Sequence, residues 1–139
     1  MENKMGNMER EIMGKEIRSF RELRCYQAGF GLQQDVFKVS KTWPAEEKYA
    51  LTDQVRRSSR SVGGNIAEAW AKRKYPAHFV SKLTDADGEL QETSHWLTTA
   101  LACEYITERQ HADFQKRIED IGGSLGKMMS MPEKFIPKK

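Results

Sequence analysis

At 139 residues, 38% hydrophobic and 31% charged, the chain has the length for one domain whose core needs neither disulfide nor metal. Its net charge is only +3, and no apolar run approaches the ~20 residues of a membrane span, which sets aside a membrane-spanning helix. Cys25 and Cys103 lie far apart without a CxxC pair, so two free buried thiols in a reducing compartment are expected, and the polar N-terminus lacks the apolar stretch of a signal peptide, which points to the cytoplasm.

Residues 1–19 are polar, contain Gly6 and Gly14, and read as a flexible arm. From Phe20 the apolar pattern turns helical. Leu23, Tyr26, Phe30, Phe37 and Ser40, with Gln33 between, recur in steps of three, four or seven and predict the core face of a first helix. Leu32, Val36, Val39 and Trp43 lie on an adjoining face and predict an outward contact with a second subunit. Pro44 ends this helix near Lys41 or Thr42. Glu46 and Glu47 suit a first helical turn, and the long second helix is expected to begin at Thr52, capped by its hydroxyl. Its seam is Leu51, Val55, Ser58 or Ser59, Val62, Ile66 and Ala69. Gly63-Gly64 interrupts it, each glycine costing about 1 kcal/mol against alanine, which implies a bend or a close backbone approach; a helix break is the competing reading.

Pro76 fits the first position of a third helix with the seam Phe79, Leu83, Ala86, Leu90, Thr93, Leu97 and Ala100 or Leu101. Thr107 and Gln110 form a capping-box pattern before a last helix carrying Phe114, Ile118, Ile121, Leu125 and Met128. Pro132 stops it, and residues 131–139 form a basic tail with Lys134, Lys138 and Lys139. No alternating strand pattern appears, so residues 20–130 are expected to be an all-α domain, an antiparallel up-down four-helix bundle.

Charge is unevenly placed. Between Gln54 and Lys74 stand six cations, Arg56, Arg57, Arg60, Lys72, Arg73 and Lys74, against the single acid Glu68. Between Ala77 and Asp113 stand seven acids against Lys82 and Arg109. Such segments attract each other or leave a basic surface open to phosphate. Three guanidiniums within two turns suit successive phosphates, each bidentate. The competing reading is ion pairing, from Asp53 along the helix to Arg56 or Arg57, or from Glu92 across helices to Arg57. Lys72, Arg73 and Lys74 also suit a helix C-terminus through the macrodipole. Trp70 and Tyr75 offer stacking surfaces, with plain packing as the alternative.

Gln54, Ser61, Asn65 and Glu68 form a polar stripe on the same helix, expected together with Glu92 to make a hydrogen-bond network that fixes register. Glu68 has no histidine, cysteine or second carboxylate at useful spacing within its own segment, and His78, His95 and His111 are scattered. No metal-binding carboxylate set or glycine-rich phosphate loop is apparent, so the sequence predicts no enzyme, no metal and no cofactor.

The pieces Phe20-x-x-Leu23, Trp43-Pro44-x-Glu46-Glu47-x-Tyr49-x-Leu51-Thr52-x-Gln54-Val55-Arg56-Arg57 and Ser61-Val62-x-x-Asn65-Ile66-Ala67-Glu68 carry a resemblance, continued by Phe79-x-x-x-Leu83, Ala86-x-Gly88, Glu92, Ala100 and Tyr105-Ile106. With them the chain resembles the small four-helix bundle proteins encoded by intervening sequences inside bacterial 23S ribosomal RNA genes. The resemblance covers Phe20 to about Met129. It implies an all-helical bundle assembled as a ring-shaped homopentamer. A related group, accessory proteins of diversity-generating retroelements, resembles rings that bind a reverse transcriptase and nucleic acid. The family commonly has proline at the position of Gly63, glycine at that of Ala69 and serine at that of Glu89. The expectation is therefore a non-enzymatic, homo-oligomeric accessory protein that binds RNA or DNA through phosphate contacts, beside a reverse transcriptase or ribosomal RNA. The alternative is a purely structural homo-oligomeric scaffold.

Overall fold

The computed structural model describes residues 17–137. Four helices account for most of them: α1 (Arg24–Ser40), α2 (Asp53–Ala71), α3 (Pro76–Ala102) and α4 (Glu108–Ser130). Each packs on its chain neighbours, and α1 closes the antiparallel bundle against α4. No strand occurs among the described residues.

The seams of α3 and α4 follow their apolar spacing. Phe79, Leu83, Ala86, Leu90, Thr93, Leu97 and Ala100 are buried on one face of α3, and Phe114, Ile118, Ile121, Leu125 and Met128 on one face of α4. Pro76 opens α3, and the Thr107–Gln110 capping box opens α4, with the Gln110 N–H donating to Thr107 Oγ1 at 3.0 Å.

Helix α1 meets the expectation only at the ends of the predicted core face, where Leu23 and Ser40 are buried. Cys25, Gly29, Leu32, Val36 and Ser40 are its buried residues, whereas Tyr26 and Phe37 are half-buried and Phe30 is exposed. Leu32, Val36 and Trp43, expected to face a second subunit, lie in the chain's own core, and Val39 packs half-buried against it. The physical reason is that α1 touches both α2 and α4, so its second apolar face is satisfied inside the bundle.

The entrance to α2 also differs. After Pro44 the chain makes a 3-10 turn at Ala45–Glu47 and a wide π turn at Lys48–Thr52 that runs straight into the helix. Thr52 is buried in helical conformation and does not cap. Helix α2 passes unbroken through Gly63-Gly64. The close approach is at Gly63, where an added Cβ would stand 3.3 Å from Tyr26 Cε1.

At the chain ends, Ser19 caps a 3-10 turn (Phe20–Glu22) through a capping box with Glu22, and Ile17 packs against the core, so the folded part starts before the boundary at residue 20. The remainder of the expected arm, residues 1–16, lies outside the described residues, as do Lys138 and Lys139. The tail is not simply solvated: Pro132–Phe135 turns back, and Phe135 is buried 5.3 Å from the Phe79 ring. Cys25 is buried with its thiol 3.5 Å from Met128 Sδ, while Cys103 is exposed, against expectation, because it sits at the end of α3.

Beyond α3, Glu104 adopts φ 64°, and the N–H of Tyr105 donates to the Ala100 carbonyl at 2.8 Å. This left-handed helix stop strains a residue with a Cβ. Glu104→Gly should therefore raise the unfolding free energy by about 0.5–1 kcal/mol in a thermal melt; an unchanged or lowered midpoint would contradict the strain. The next residue joins the two links at this end of the bundle: Tyr105 donates its hydroxyl to Glu47 Oε2 at 2.8 Å. That hydrogen bond first, then partial burial, then the carboxylate's charge push the phenol up to about 12. A phenol whose folded pKa is raised stabilises the fold fully below its ordinary value near 10 and loses that contribution as pH climbs through about 12. Tyr105→Phe should accordingly be less stable than the native chain at pH 8, with the gap closing above pH 11; a gap independent of pH would refute the linkage.

Candidate nucleic-acid interface

The six cations do not act as one set: Arg56, Arg57 and Arg60 stand on α2, and Lys72, Arg73 and Lys74 in the turn after it. Arg57 turns across the α2–α3 seam to Glu89, at 3.3 Å, and to Glu92, which also accepts from Trp96 Nε1 at 3.1 Å. The pairing of Arg57 with Asp53 along the helix is not formed. Arg73 lies over Trp70, 4.0 Å from its ring centroid, and donates back to the Trp70 carbonyl at 2.9 Å; burial lowers its pKa. Trp70 thereby has one face occupied, while Tyr75 remains exposed beside His78 and Lys74. Lys72 and Lys74 are exposed at the helix end, roughly 18 Å along the axis from Arg60 at 1.5 Å per residue.

Arg56 and Arg60 remain. One turn apart on α2, they project toward α1 and meet at the half-buried ring of Phe37. Their guanidinium carbons lie 4.7 and 5.6 Å from its centroid, and Lys41 Nζ adds a third cation at 4.9 Å. Arg56 is further held by Ser40, its Nε donating to the hydroxyl at 2.8 Å, while Ser40 donates to the Phe37 carbonyl. Among the described residues none of these three cations is ion-paired with a carboxylate. Phe37, Arg56, Arg57, Arg60, Ser61, Gly64 and the exposed, unpaired Asp53 line an open, shallow depression of about 600 Å³. Lys41 and Phe37 were missed as site residues. The available signal was the spacing of Phe37 and Lys41, one turn apart on the helix that α2 must pack against.

The expected polar network is not a single connected set. Gln54 Nε2 reaches the Tyr49 carbonyl at 3.5 Å, and Asn65 donates to the Ser61 carbonyl at 3.0 Å, both local bonds. Glu68 pairs with Lys82 at 2.7 Å; the hydrogen bond from Lys82, then its charge, lower the Glu68 pKa, and the hydrogen bond to Glu68, with the charges of Glu68 and Asp85, raises that of Lys82. Glu92 serves Arg57. Gln54 and Asn65 thus bond within their own segment, while Glu68 and Glu92 each take a separate cation across the α2–α3 seam. The buried polar contact across helices is instead Ser58 with Thr93, whose hydroxyl oxygens are 2.9 Å apart.

No group of three or more histidine, cysteine or carboxylate side chains able to hold a metal occurs among the described residues, and no helix there is long and apolar enough to cross a membrane.

A family model for the 23S rRNA-intervening sequence protein matches residues 21–127. A solved structure of a protein with unknown function from the S23 ribosomal protein family of Bacteroides thetaiotaomicron VPI-5482 is similar at a TM-score of 0.69 and 27% identity, over 76% of this chain and 95% of that one. No curated protein matches the chain.

The division among the arginines has a measurable signature. Arg57→Ala should lower unfolding stability by about 1 kcal/mol in urea, since it strands Glu89 and Glu92 side by side, whereas Arg60→Ala should stay within about 0.5 kcal/mol of the native chain. Equal losses would mean that the two guanidiniums are held alike.

Proposed function

The chain belongs to the 23S rRNA-intervening sequence protein family, and on that premise we propose that it is a non-enzymatic, cytoplasmic, homo-oligomeric accessory protein that grips the phosphate backbone of RNA or DNA. The observation that carries this reading is the convergence of Lys41, Arg56 and Arg60 on Phe37, beside an open depression and without ion-pairing carboxylates. A neutral ring orders the cations without cancelling their charge, and the N–H groups not used by Ser40 stay available to phosphate oxygens. Contacts of this kind bind with little sequence preference and strong salt dependence. The exposed Lys72 and Lys74, in the turn after α2, are outlying phosphate contacts, and a reverse transcriptase or a ribosomal RNA is the partner context implied by the family resemblance.

A structural scaffold is the second reading. It is favoured by Arg57 and Arg73, two of the six expected cations, which are engaged inside the chain.

Binding to a mixed-sequence RNA, followed by fluorescence anisotropy between 50 and 200 mM salt, separates the two. For three phosphates on a single strand the slope of log affinity against log salt should be about −2. Changing Arg56 and Arg60 together to alanine should weaken binding at least tenfold and flatten the slope by roughly 1 to 1.5. Absence of binding, or an unaltered slope in the double variant, would leave the scaffold. Light scattering should return a mass above that of a 16.0 kDa monomer.

A further inference from the structure

We propose that the nucleic acid taken at this interface is single-stranded, with unstacked bases lying on the aromatic ridge of α1. The inference rests on the phosphate-binding reading above and specifies its substrate.

Tyr26, Phe30, Gln33 and Phe37 stand at positions i, i+4, i+7 and i+11 of α1 and so share one stripe. This stripe runs along the rim where α1 meets α2: Tyr26 and Phe37 are half-buried there, Tyr26 against Gly63, and Phe30 between them is exposed. Phe30 is 45% exposed and does not stand singly, since its ring is stacked on that of Tyr26 and the two form a contiguous aromatic surface. Its ring runs nearly parallel to Tyr26, at 30° with centroids 6.2 Å apart, and Tyr26 in turn meets Phe20 edge-on at 4.9 Å. The ridge thus offers a flat exposed face backed by rings that hold it in place.

Cations stand at both ends of this ridge. Arg21 lies over Phe20 at 4.5 Å, and Lys41, Arg56 and Arg60 surround Phe37. Phe30 and Phe37 are seven residues apart, roughly 10 Å along the axis, so the stacking face and the cation cluster fall within reach of neighbouring nucleotides of one strand. Alternation of aromatic faces with cations is the chemistry that holds single strands without reading sequence. A duplex presents the same phosphates but keeps its bases stacked inside, where an exposed ring on a helix surface cannot reach them. Positive charge at both ends of the ridge favours this polyanion over a second copy of the chain, whose matching face would carry the same sign.

The test compares one RNA sequence as a single strand and as a duplex, by anisotropy at fixed low salt. The native chain should prefer the single strand. Phe30→Ala should lose about tenfold on the single strand and little on the duplex. Phe30→Trp, which keeps a stacking face, should retain single-strand binding and show added fluorescence quenching relative to the native chain. A Phe30→Ala variant that binds the single strand as tightly as the native chain overturns the inference, and the phosphate reading then stands or falls on the Arg56 and Arg60 double variant alone. Loss of mass in light scattering on Phe30→Ala, with single-strand affinity unchanged, would assign the ridge to a contact between copies and likewise overturn it.

Discussion

A hydrogen bond between two buried hydroxyls, Ser58 on α2 and Thr93 on α3, sets the register on which the rest of the structure depends. Each hydroxyl has one proton: Thr93 donates to the Glu89 carbonyl at 2.9 Å and accepts from Ser58, for which the Val55 carbonyl at 3.3 Å is the alternative acceptor. Around them the seam is apolar, with Val55, Val62 and Ile66 on one side and Leu83, Leu90 and Leu97 on the other, all fully buried. Apolar packing alone tolerates small slips. A buried hydroxyl pair tolerates them less, because a slip breaks the short Ser58–Thr93 bond and leaves Ser58 only the longer contact to its own helix. With the register fixed, Arg57, the residue before Ser58, is delivered to Glu89 and Glu92, and successive residues of a helix differ by about 100°, so Arg56 and Arg60 are delivered to the α1 side instead.

The opposed charges of the two segments are therefore only partly spent on each other. Arg57 with Glu89 and Glu92, and Glu68 with Lys82, join α2 to α3 at two points along the seam. The positive charge left over gathers where α2 faces α1, and there the organiser is Phe37. Had a carboxylate occupied that place, it would have fixed the same guanidiniums while cancelling their field. An aromatic face fixes them through its quadrupole and leaves the charge intact. Glu89 sharpens the division in this chain, since with Glu92 it takes part in holding Arg57.

The four helices were legible because three of them bury one face at unambiguous spacing and because Thr107, Pro76 and Pro132 mark their ends by chemistry that acts locally. Helix α1 was not, since both of its stripes are apolar at helical spacing. Choosing between Tyr26–Phe30–Phe37 and Leu32–Val36–Trp43 requires knowing which of them α4 covers, which no single helix states about itself. Aliphatic side chains went inside, and the aromatic stripe, whose rings can hold cations at the surface, stayed at the rim. For the site, Arg56 and Arg60 were readable as a cluster, but the separation of Arg57 from them depends on Glu89 and Glu92, more than thirty residues away. Burial of Ser58 was legible from its place on the seam, yet its partner Thr93 appeared only as another seam position. The polar stripe of Gln54, Ser61, Asn65 and Glu68 was real as a pattern but is not one network: Gln54 and Asn65 bond to nearby backbone carbonyls, and Glu68 alone reaches across to Lys82 on α3.

The adjacent glycines of α2 separate the demands of folding from those of the surface. Gly63 is buried and lets the Tyr26 ring approach; a methyl group there would press on the ring at 3.3 Å, so the helix penalty of that glycine is offset by packing. Gly64 has no such compensation. It is exposed, nothing lies within 4 Å of where its Cβ would be, and it weakens the helix by about 1 kcal/mol relative to alanine. Within the single chain that loss is unexplained. Gly64 lines the depression next to Phe37, Arg56 and Arg60, where any side chain would stand between the cations and the open space before them. On the proposed reading, the missing side chain gives a phosphate backbone room to come close, and the destabilised position and the cationic cradle are then two aspects of one surface.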